Sequence, residues 1–276
     1  MDKYCVLGNP VEHSRSPWIH ARFAELTDQR LEYGKRLVPL DGFAAGLKAL
    51  RAEGGKGCNV TVPFKFQAAA QATTLTPRAQ LAQACNTVRF DGADAVFADN
   101  TDGFGLVSDI QSNAGVELAG RELLLVGAGG AAAGVLGPLL EARPRRVVVC
   151  NRSAEKADAL VARHLGLARE HGVLLQCRPL DAPGEAFDVV VNATASSLAG
   201  GGVPVPDRVI KPGALAVDMM YGPSAQGFMD WARHHGAVPR DGLGMLVEQA
   251  AEAFLVFRGV RPPSARVLAE LRALLD

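Results

Sequence analysis

Four short motifs in the first 103 residues hold side chains that could act on a small molecule. They are Gly8-Asn-Pro-Val-Glu-His-Ser14-Arg-Ser16-Pro17, Asn59-Val-Thr61-Val-Pro63-Phe-Lys65, Ala84-Cys-Asn86-Thr87 and Asp99-Asn-Thr-Asp102-Gly103. Together they offer hydroxyls, amides, the ammonium of Lys65 and the carboxylate of Asp102. Such a set suits a small polyhydroxylated acid. Taken singly, each residue has an ordinary explanation: Ser16 and Asp102 as helix caps, Asn59 and Asn86 as turn residues, Lys65 as a solvated lysine. Taken together, each motif sits at the C-terminal end of an expected strand or in the loop after it. In open α/β sheets that is the edge that faces ligands.

A second constellation lies at Arg121-Glu-Leu-Leu-Leu-Val-Gly127-Ala128-Gly129-Gly130-Ala131-Ala-Ala-Gly134. An apolar strand runs into a glycine cluster and then into a helix of small residues. This is the unit that seats a dinucleotide pyrophosphate on helix N–H groups. The spacing departs from strict G-x-G-x-x-G, since Ala132 takes the last glycine's place. The next strand, Arg146–Cys150, ends in Asn151-Arg152-Ser153. A site for an unphosphorylated ribose usually carries a carboxylate there. A cation in its place points to a ribose 2′-phosphate, and so to NADP.

The elements that must position these residues alternate along the chain. Strands are expected at 3–8, 31–38, 57–61, 122–126, 146–150, 187–192 and 214–218. A helix follows Ser16-Pro17 to about Thr27, with Ser16 as N-cap. Asp41 is expected to cap a helix to about Glu53, and Thr76-Pro77 to open another. Residues 87–90 and 95–98, joined through Asp91-Gly92, read as a β-hairpin. Helices are expected from Asp102 to Ala114, at 241–257 and at 264–275. Residues 166–172 and 199–208 read as loops. The pattern predicts an α/β protein with mostly parallel sheets. Residues 1–102 plus 239–276 form one α/β domain and 103–238 a Rossmann-like nucleotide domain. A small substrate is expected to meet the nicotinamide in a cleft between them.

Composition narrows the class. The chain has 276 residues, 48% of them hydrophobic, with 29 basic and 29 acidic side chains. No basic excess points to nucleic acid and no basic amphipathic helix to a membrane surface. Leu123 to Leu140 is uncharged and long enough to raise the question of a membrane span. Its five glycines and one proline, and its fit to strand, turn and helix, argue otherwise. The N-terminus lacks a signal-peptide core. Five scattered cysteines without a C-x-x-C pair suit a reduced, cytoplasmic protein. The six histidines form no ligand set, and no metal is called for; His13 suits a loop better than a catalytic base. A homodimer is compatible with the sequence but not specified by it.

The ordered series of motifs resembles the shikimate dehydrogenase family over nearly the whole chain. It continues through Asn192-Ala-Thr194 and Asp241-Gly242-Leu-Gly-Met245-Leu-Val-Glu-Gln249. The resemblance implies NADP-dependent interconversion of 3-dehydroshikimate and shikimate, on the route to chorismate and the aromatic amino acids. It implies Lys65 and Asp102 as the catalytic pair. Ser14, Ser16, Asn59, Thr61, Asn86, Tyr221 and Gln249 would serve the substrate. Gly127, Ala128, Gly129, Gly130 and Ala131 would hold the pyrophosphate. Asn151, Arg152, Ser153 and Lys156 would hold the 2′-phosphate, with Thr194, Met219, Gly242 and Met245 near the rest of the cofactor. One segment departs from the family's Asp-x-x-Tyr-Asn-Pro-x-x-Thr. It reads Asp218-Met-Met-Tyr221-Gly222-Pro223-Ser-Ala-Gln226, so the local turn and the helix after it are expected to differ. A quinate or quinate/shikimate dehydrogenase is the alternative within the superfamily. A non-catalytic NADP-binding sensor is the alternative outside enzymes, though such a protein has no need of both Lys65 and Asp102.

Overall fold

The computed structural model describes residues 1–92, 94–194 and 203–275. Two compact units divide the chain: Met1–Gly105 with Leu246–Asp276, and Leu106–Met245. Residues 239–245 thus fall in the second unit rather than with the first. The reason is a short strand, Val238–Arg240, that pairs in the second sheet.

The first unit runs β1 (Asp2–Gly8), α1 (Ser16–Leu26), β2 (Leu31–Leu37), α2 (Phe43–Ala52), β3 (Gly55–Val60), α3 (Lys65–Gln71), β4 (Thr74–Leu75), α4 (Pro77–Ala82), β5 (Thr87–Asp91), β6 (Ala95–Asp99) and the start of α5 (Asp102–Ser108). The sheet order is β2-β1-β3-β5-β6-β4. The strands β1, β2 and β3 are parallel, and β5–β6 is the expected antiparallel hairpin. Thr76 caps α4 as expected, its hydroxyl accepting from the Ala79 N–H. Asp41 does not cap α2. A turn closed by Gly42 N–H to the Pro39 carbonyl puts Gly42 at the cap position, with Asp41 exposed before it.

Aromatic residues fill one face of this sheet. Tyr4 and Tyr33 from β1 and β2 meet Phe254 and Phe257 from α9 (Leu243–Arg258). His20 of α1 lies among them, 1% exposed, its ring stacked on Tyr33 at 4.1 Å and 4°. Neither ring nitrogen has a hydrogen-bond partner. The last helix is α10 (Ser264–Leu275).

The second unit runs from a π-helical turn (Asp109–Asn113) through β7 (Glu122–Val126), α6 (Gly130–Glu141), β8 (Arg146–Cys150), α7 (Ala154–Glu170), β9 (Leu174–Cys177), β10 (Phe187–Asn192), β11 (Ile210–Asp218), α8 (Gln226–His234) and β12 (Val238–Arg240). Its all-parallel sheet has the order β12-β11-β10-β7-β8-β9. This is the doubly wound arrangement, whose strand order reverses between β7 and β10. Leu123 to Leu140 resolves into β7, a loop and the 12-residue α6. No helix among the described residues is long and apolar enough to cross a membrane.

Residues 166–170, expected as loop, continue α7. The helix buries Ala157, Leu160, Val161, His164 and Ala168 as one stripe. That stripe outweighs the roughly 1 kcal/mol that a helical glycine such as Gly166 costs. Of the other expected loop, residues 203–206 are irregular and Asp207–Val209 is a 3-10 turn; residues 199–202 lie outside the described residues.

An ion pair anchors the second unit. Asp109, 0% exposed, accepts from Arg240 Nε and Nη2, each at 2.6 Å. Removing one member of a buried pair leaves the other charge uncompensated, typically at a cost of about 3–5 kcal/mol. Asp109→Ala should therefore lower stability by about that amount in denaturant titration. A loss below about 1 kcal/mol would mean that water reaches Arg240 and solvates it.

His20 supplies a second prediction. Burial pushes its pKa down from 6.5 to about 3. The unfolded imidazole therefore binds a proton that the folded one refuses. This contribution is intact above pH 6.5 and shrinks as pH falls, by about 1.4 kcal/mol per pH unit for one proton. In urea melts between pH 6.5 and 5, His20→Leu should lose stability less steeply than the parent chain. Equal slopes would mean that the folded protein protonates His20.

Candidate active site

Lys65 opens α3 directly after Phe64, which is fully buried against Phe43 with ring centroids 5.2 Å apart. The buried ring fixes the start of the helix, and the Lys65 carbonyl accepts from the Cys85 N–H at 2.8 Å. The Lys65 side chain then reaches Asp102, Nζ to Oδ2 2.5 Å, with side chains 13% and 6% exposed. Asp102 begins α5, but its carboxylate does not cap the helix. Its own N–H goes to Asn100 Oδ1 at 3.1 Å. The second oxygen, Oδ1, accepts from Asn86 Nδ2 at 2.9 Å. Asn86 Nδ2 also lies 2.9 Å from Thr101 Oγ1 and 3.0 Å from Gln249 Oε1 on α9.

Four of the expected residues therefore form one hydrogen-bonded group: Lys65, Asp102, Asn86 and Gln249. Asn59 joins it from behind. Its Nδ2 donates to the Asn86 carbonyl and to Thr87 Oγ1, each at 3.1 Å, and its Oδ1 accepts from the Tyr33 hydroxyl at 2.7 Å. Both Asn59 amide protons are thus committed inside the protein.

Ser14 and Ser16 lie side by side, hydroxyl to hydroxyl 3.2 Å. Ser16 is not the N-cap of α1. The cap position is Arg15, and Ser16 is the first helical residue. Its N–H points back to Ser14 Oγ at 3.3 Å, so Ser14 serves the free helix end that was expected to fall to Ser16. Thr61 is half-buried directly after β3.

Arg78, Asp99 and Glu252 brace this group, and their roles are not apparent from the motifs. Asp99 accepts from Arg78 Nε at 2.8 Å and Nη2 at 2.6 Å, from Thr76 Oγ1 at 2.5 Å and from the Asn100 N–H at 2.7 Å. Burial alone would raise the Asp99 carboxyl pKa, but these donors hold it below the usual carboxylate range. Arg78 also donates to Glu252 at 2.9 Å. Glu252 lies three residues beyond Gln249, on the same helix face, and that spacing is the one signal in the sequence that could have found it. The clamp ties the strand end before Asp102 to the helix that carries Gln249.

In the second unit Gly127 to Gly129 form the turn between β7 and α6, and Gly130 and Ala131 open the helix. Gly127 has φ +119°, and a Cβ there would lie 3.0 Å from the Ala193 carbonyl oxygen after β10. Only glycine fits this close approach at the point where the sheet order reverses. Gly129 takes the cap position with no side-chain cap bond, so the first N–H groups of α6 are left for a ligand. A Cβ at Gly129 would meet nothing within 4 Å. This loop fits a dinucleotide pyrophosphate.

At the end of β8, Asn151 Nδ2 donates to the Ser153 carbonyl at 2.9 Å, and the Ser153 hydroxyl to Glu155 at 3.1 Å. Arg152 and Lys156 are exposed cations. Their placement fits an anion, although Ser153 must turn from Glu155 to serve one. Thr194 donates to Asn192 Oδ1 at 2.8 Å, and Asn192 Nδ2 donates to Asp218 at 3.1 Å. The Gly242 N–H donates to the Met220 carbonyl at 2.8 Å, and a Cβ at Gly242 would lie 2.3 Å from the Met219 carbonyl oxygen. Met245 is buried, and Tyr221 is half-buried in this unit.

The departure at Gly222 has a conformational explanation. Its φ is +64°. Glycine and asparagine are the two residues that most readily adopt left-handed backbone. Gly222 therefore takes its left-handed conformation without the strain a branched side chain would bring. Gln226 opens α8 and donates to Asp230 at 2.7 Å.

A profile described as the shikimate dehydrogenase substrate binding domain matches residues 6–88. One for shikimate / quinate 5-dehydrogenase matches 109–199, and one for the shikimate 5′-dehydrogenase C-terminal domain matches 242–272. The shikimate dehydrogenase (NADP(+)) of Paracidovorax citrulli is 67% identical, covering 99% of this chain and 98% of its own. An Ael1 enzyme from Pseudomonas putida superposes with TM-score 0.88 at 44% identity, over 98% of each chain. The Thermus thermophilus shikimate 5-dehydrogenase, in complex with NADP(H) and shikimate, superposes with TM-score 0.84 at 32% identity over 100% of each chain. With profiles spanning most of its length and a relative two-thirds identical from end to end, the chain belongs to the shikimate dehydrogenase family.

Proposed function

We propose that this chain catalyses the reversible NADPH-dependent reduction of 3-dehydroshikimate to shikimate, a step toward chorismate, in the cytoplasm. The observation that carries the reading is the buried Lys65–Asp102 pair, joined to Asn86 and Gln249 in one hydrogen-bonded group. NADPH, when bound, supplies the hydride. Gly127 to Ala131 would hold its pyrophosphate and Asn151, Arg152, Ser153 and Lys156 its 2′-phosphate. Thr194, Met219, Gly242 and Met245 would border the remainder.

Reduction of a ketone builds negative charge on its oxygen. The Lys65 ammonium, hydrogen-bonded to that oxygen, stabilises the charge and delivers a proton. Asp102 aims the ammonium and keeps one of its three N–H bonds occupied, leaving two for substrate. The adjacent hydroxyls of Ser14 and Ser16 suit a carboxylate, and Thr61, Asn86, Gln249 and Tyr221 suit the ring hydroxyls. Asn59 acts on these through Asn86. A steady-state assay with shikimate or quinate, against NADP or NAD, tests the reading. Turnover with shikimate and NADP supports it. Preference for quinate would move the chain to the alternative activity of its superfamily, and no turnover with either acid would make it a binding protein.

Lys65→Ala and Asp102→Ala should each lower kcat by about 10²–10⁴, the usual worth of positioned acid–base groups, while NADP still binds. The double variant should be little worse than the poorer single one, because groups that act as a unit are non-additive. Multiplicative losses would show that the two act independently.

Arg152→Ala should raise the KM for NADP about tenfold or more and leave that for NAD nearly unchanged, as expected for a lost charge-assisted bond to phosphate. Equal damage with both cofactors would remove Arg152 from the 2′-phosphate site.

A further inference from the structure

Behind Asp102 the buried polar groups form a line with one direction. The Tyr33 hydroxyl donates to Asn59 Oδ1 at 2.7 Å. Asn59 Nδ2 donates to Thr87 Oγ1 at 3.1 Å. Thr87 Oγ1 donates to Asn86 Oδ1 at 3.0 Å. Asn86 Nδ2 donates to Asp102 Oδ1 at 2.9 Å, and Asp102 Oδ2 receives Lys65.

The direction follows from groups that can act in only one way. The Thr101 N–H, 2.9 Å from Asn86, is only a donor, so the Asn86 atom facing it is the oxygen. The Asp102 carboxylate, as Lys65's ionised partner, is only an acceptor, so Asn86 turns its nitrogen there. The Asn86 backbone carbonyl is likewise only an acceptor, so Asn59 presents Nδ2 to it at 3.1 Å and must turn Oδ1 toward Tyr33. Thr87, receiving a proton from Asn59, has its own proton free for Asn86. Tyr33 heads the line, and its ring is stacked on His20 at 4.1 Å. Asn59, Asn86 and Thr87 are 6%, 3% and 0% exposed, so these hydrogen bonds are made away from bulk solvent.

We infer that Tyr33 and Thr87 are positioning residues for the reaction: their hydroxyls lock the amides of Asn59 and Asn86 in one orientation and so present the Asn86 N–H group to Asp102. Neither hydroxyl touches the reacting atoms. Successive donors in one direction polarise one another, which strengthens the last bond in the line. Without the Thr87 proton, Asn86 Oδ1 loses one of the donors that hold it, and the amide is freer to turn its oxygen toward Asp102, where it would repel the carboxylate that aims Lys65. This rests on the reading of Lys65 and Asp102 as the reacting pair.

Thr87 provides the test, because shape and hydrogen bonding can be separated there. Thr87→Val keeps the volume and removes the hydroxyl; Thr87→Ser keeps the hydroxyl and removes the methyl. The full-length protein is assayed for kcat, for KM with shikimate and NADP, and for Tm. Thr87→Val should lower kcat about tenfold, as loss of one buried hydrogen bond implies, with the KM for NADP unchanged. Thr87→Ser should stay within about threefold of the parent. A purely structural residue gives the reverse order, since the cavity left by serine is the larger defect. A kcat for the valine variant equal to or above that of the serine variant overturns the inference. If Thr87→Val does not fold, Tyr33→Phe decides: it retains the ring on His20 and should lower kcat severalfold, and an unchanged kcat overturns the inference. Lys65→Ala is measured alongside. Near-normal turnover there would defeat the underlying reading, whereas an inactive Lys65→Ala with valine no worse than serine would defeat the positioning line alone.

Discussion

An ammonium and a carboxylate 2.5 Å apart, both largely withdrawn from water, are held so only if neighbouring groups replace the solvent. Desolvating two charges costs several kcal/mol each unless their remaining lone pairs and protons find partners. Much of the first unit answers that demand. Asn86 takes the second carboxylate oxygen, Asn59 and Thr87 hold Asn86, and Arg78 fixes the strand end from which Asp102 projects. The ammonium is the less enclosed partner, as a group that must also meet a substrate oxygen has to be.

The second unit solves a different problem with far less polar hardware. A pyrophosphate needs backbone N–H groups at close range, and bulk rather than charge is the obstacle. A glycine with φ +119° against the Ala193 carbonyl, an uncapped helix start and a strand-order reversal meet that need. The two units thus show two ways to prepare a site: one saturates buried polar groups, the other removes side chains.

Much of this was legible in the sequence where local signals were strong. The apolar runs Glu122–Val126 and Arg146–Cys150, bounded by polar and turn residues, are strands with those limits. Thr76-Pro77 opens its helix as its turn chemistry dictates, and the expected hairpin pairs, with Asp91 in the strand opposite Ala95 rather than in the turn. Short edge strands were not legible: Leu174–Cys177 and Val238–Arg240 carry too few residues for a period to show, and pairing with a neighbour decides them. Within the site, the motifs marked Lys65, Asp102 and Asn86, but not what supports them. Tyr33 looks like an ordinary strand aromatic and Arg78 like a surface residue of a short helix. Their partners are 26 and 174 residues away, and no local pattern encodes such pairings.

The first unit is discontinuous in the chain, and this bears on how the protein is made. Its sheet and most of its polar residues lie before residue 106, but Gln249, Glu252, Phe254 and Phe257 come from the last 31 residues. A ribosome delivers the N-terminal segment first, and at roughly 5–20 residues per second it then spends several seconds or more on the intervening unit. Throughout that interval Asn86 and Arg78 lack their partners on α9, and the aromatic face of β1 and β2 lacks its cover. The nascent chain therefore carries an open apolar surface until translation is nearly over, so a stop codon late in the message would release a long polypeptide with an unfinished core rather than a slightly shortened enzyme.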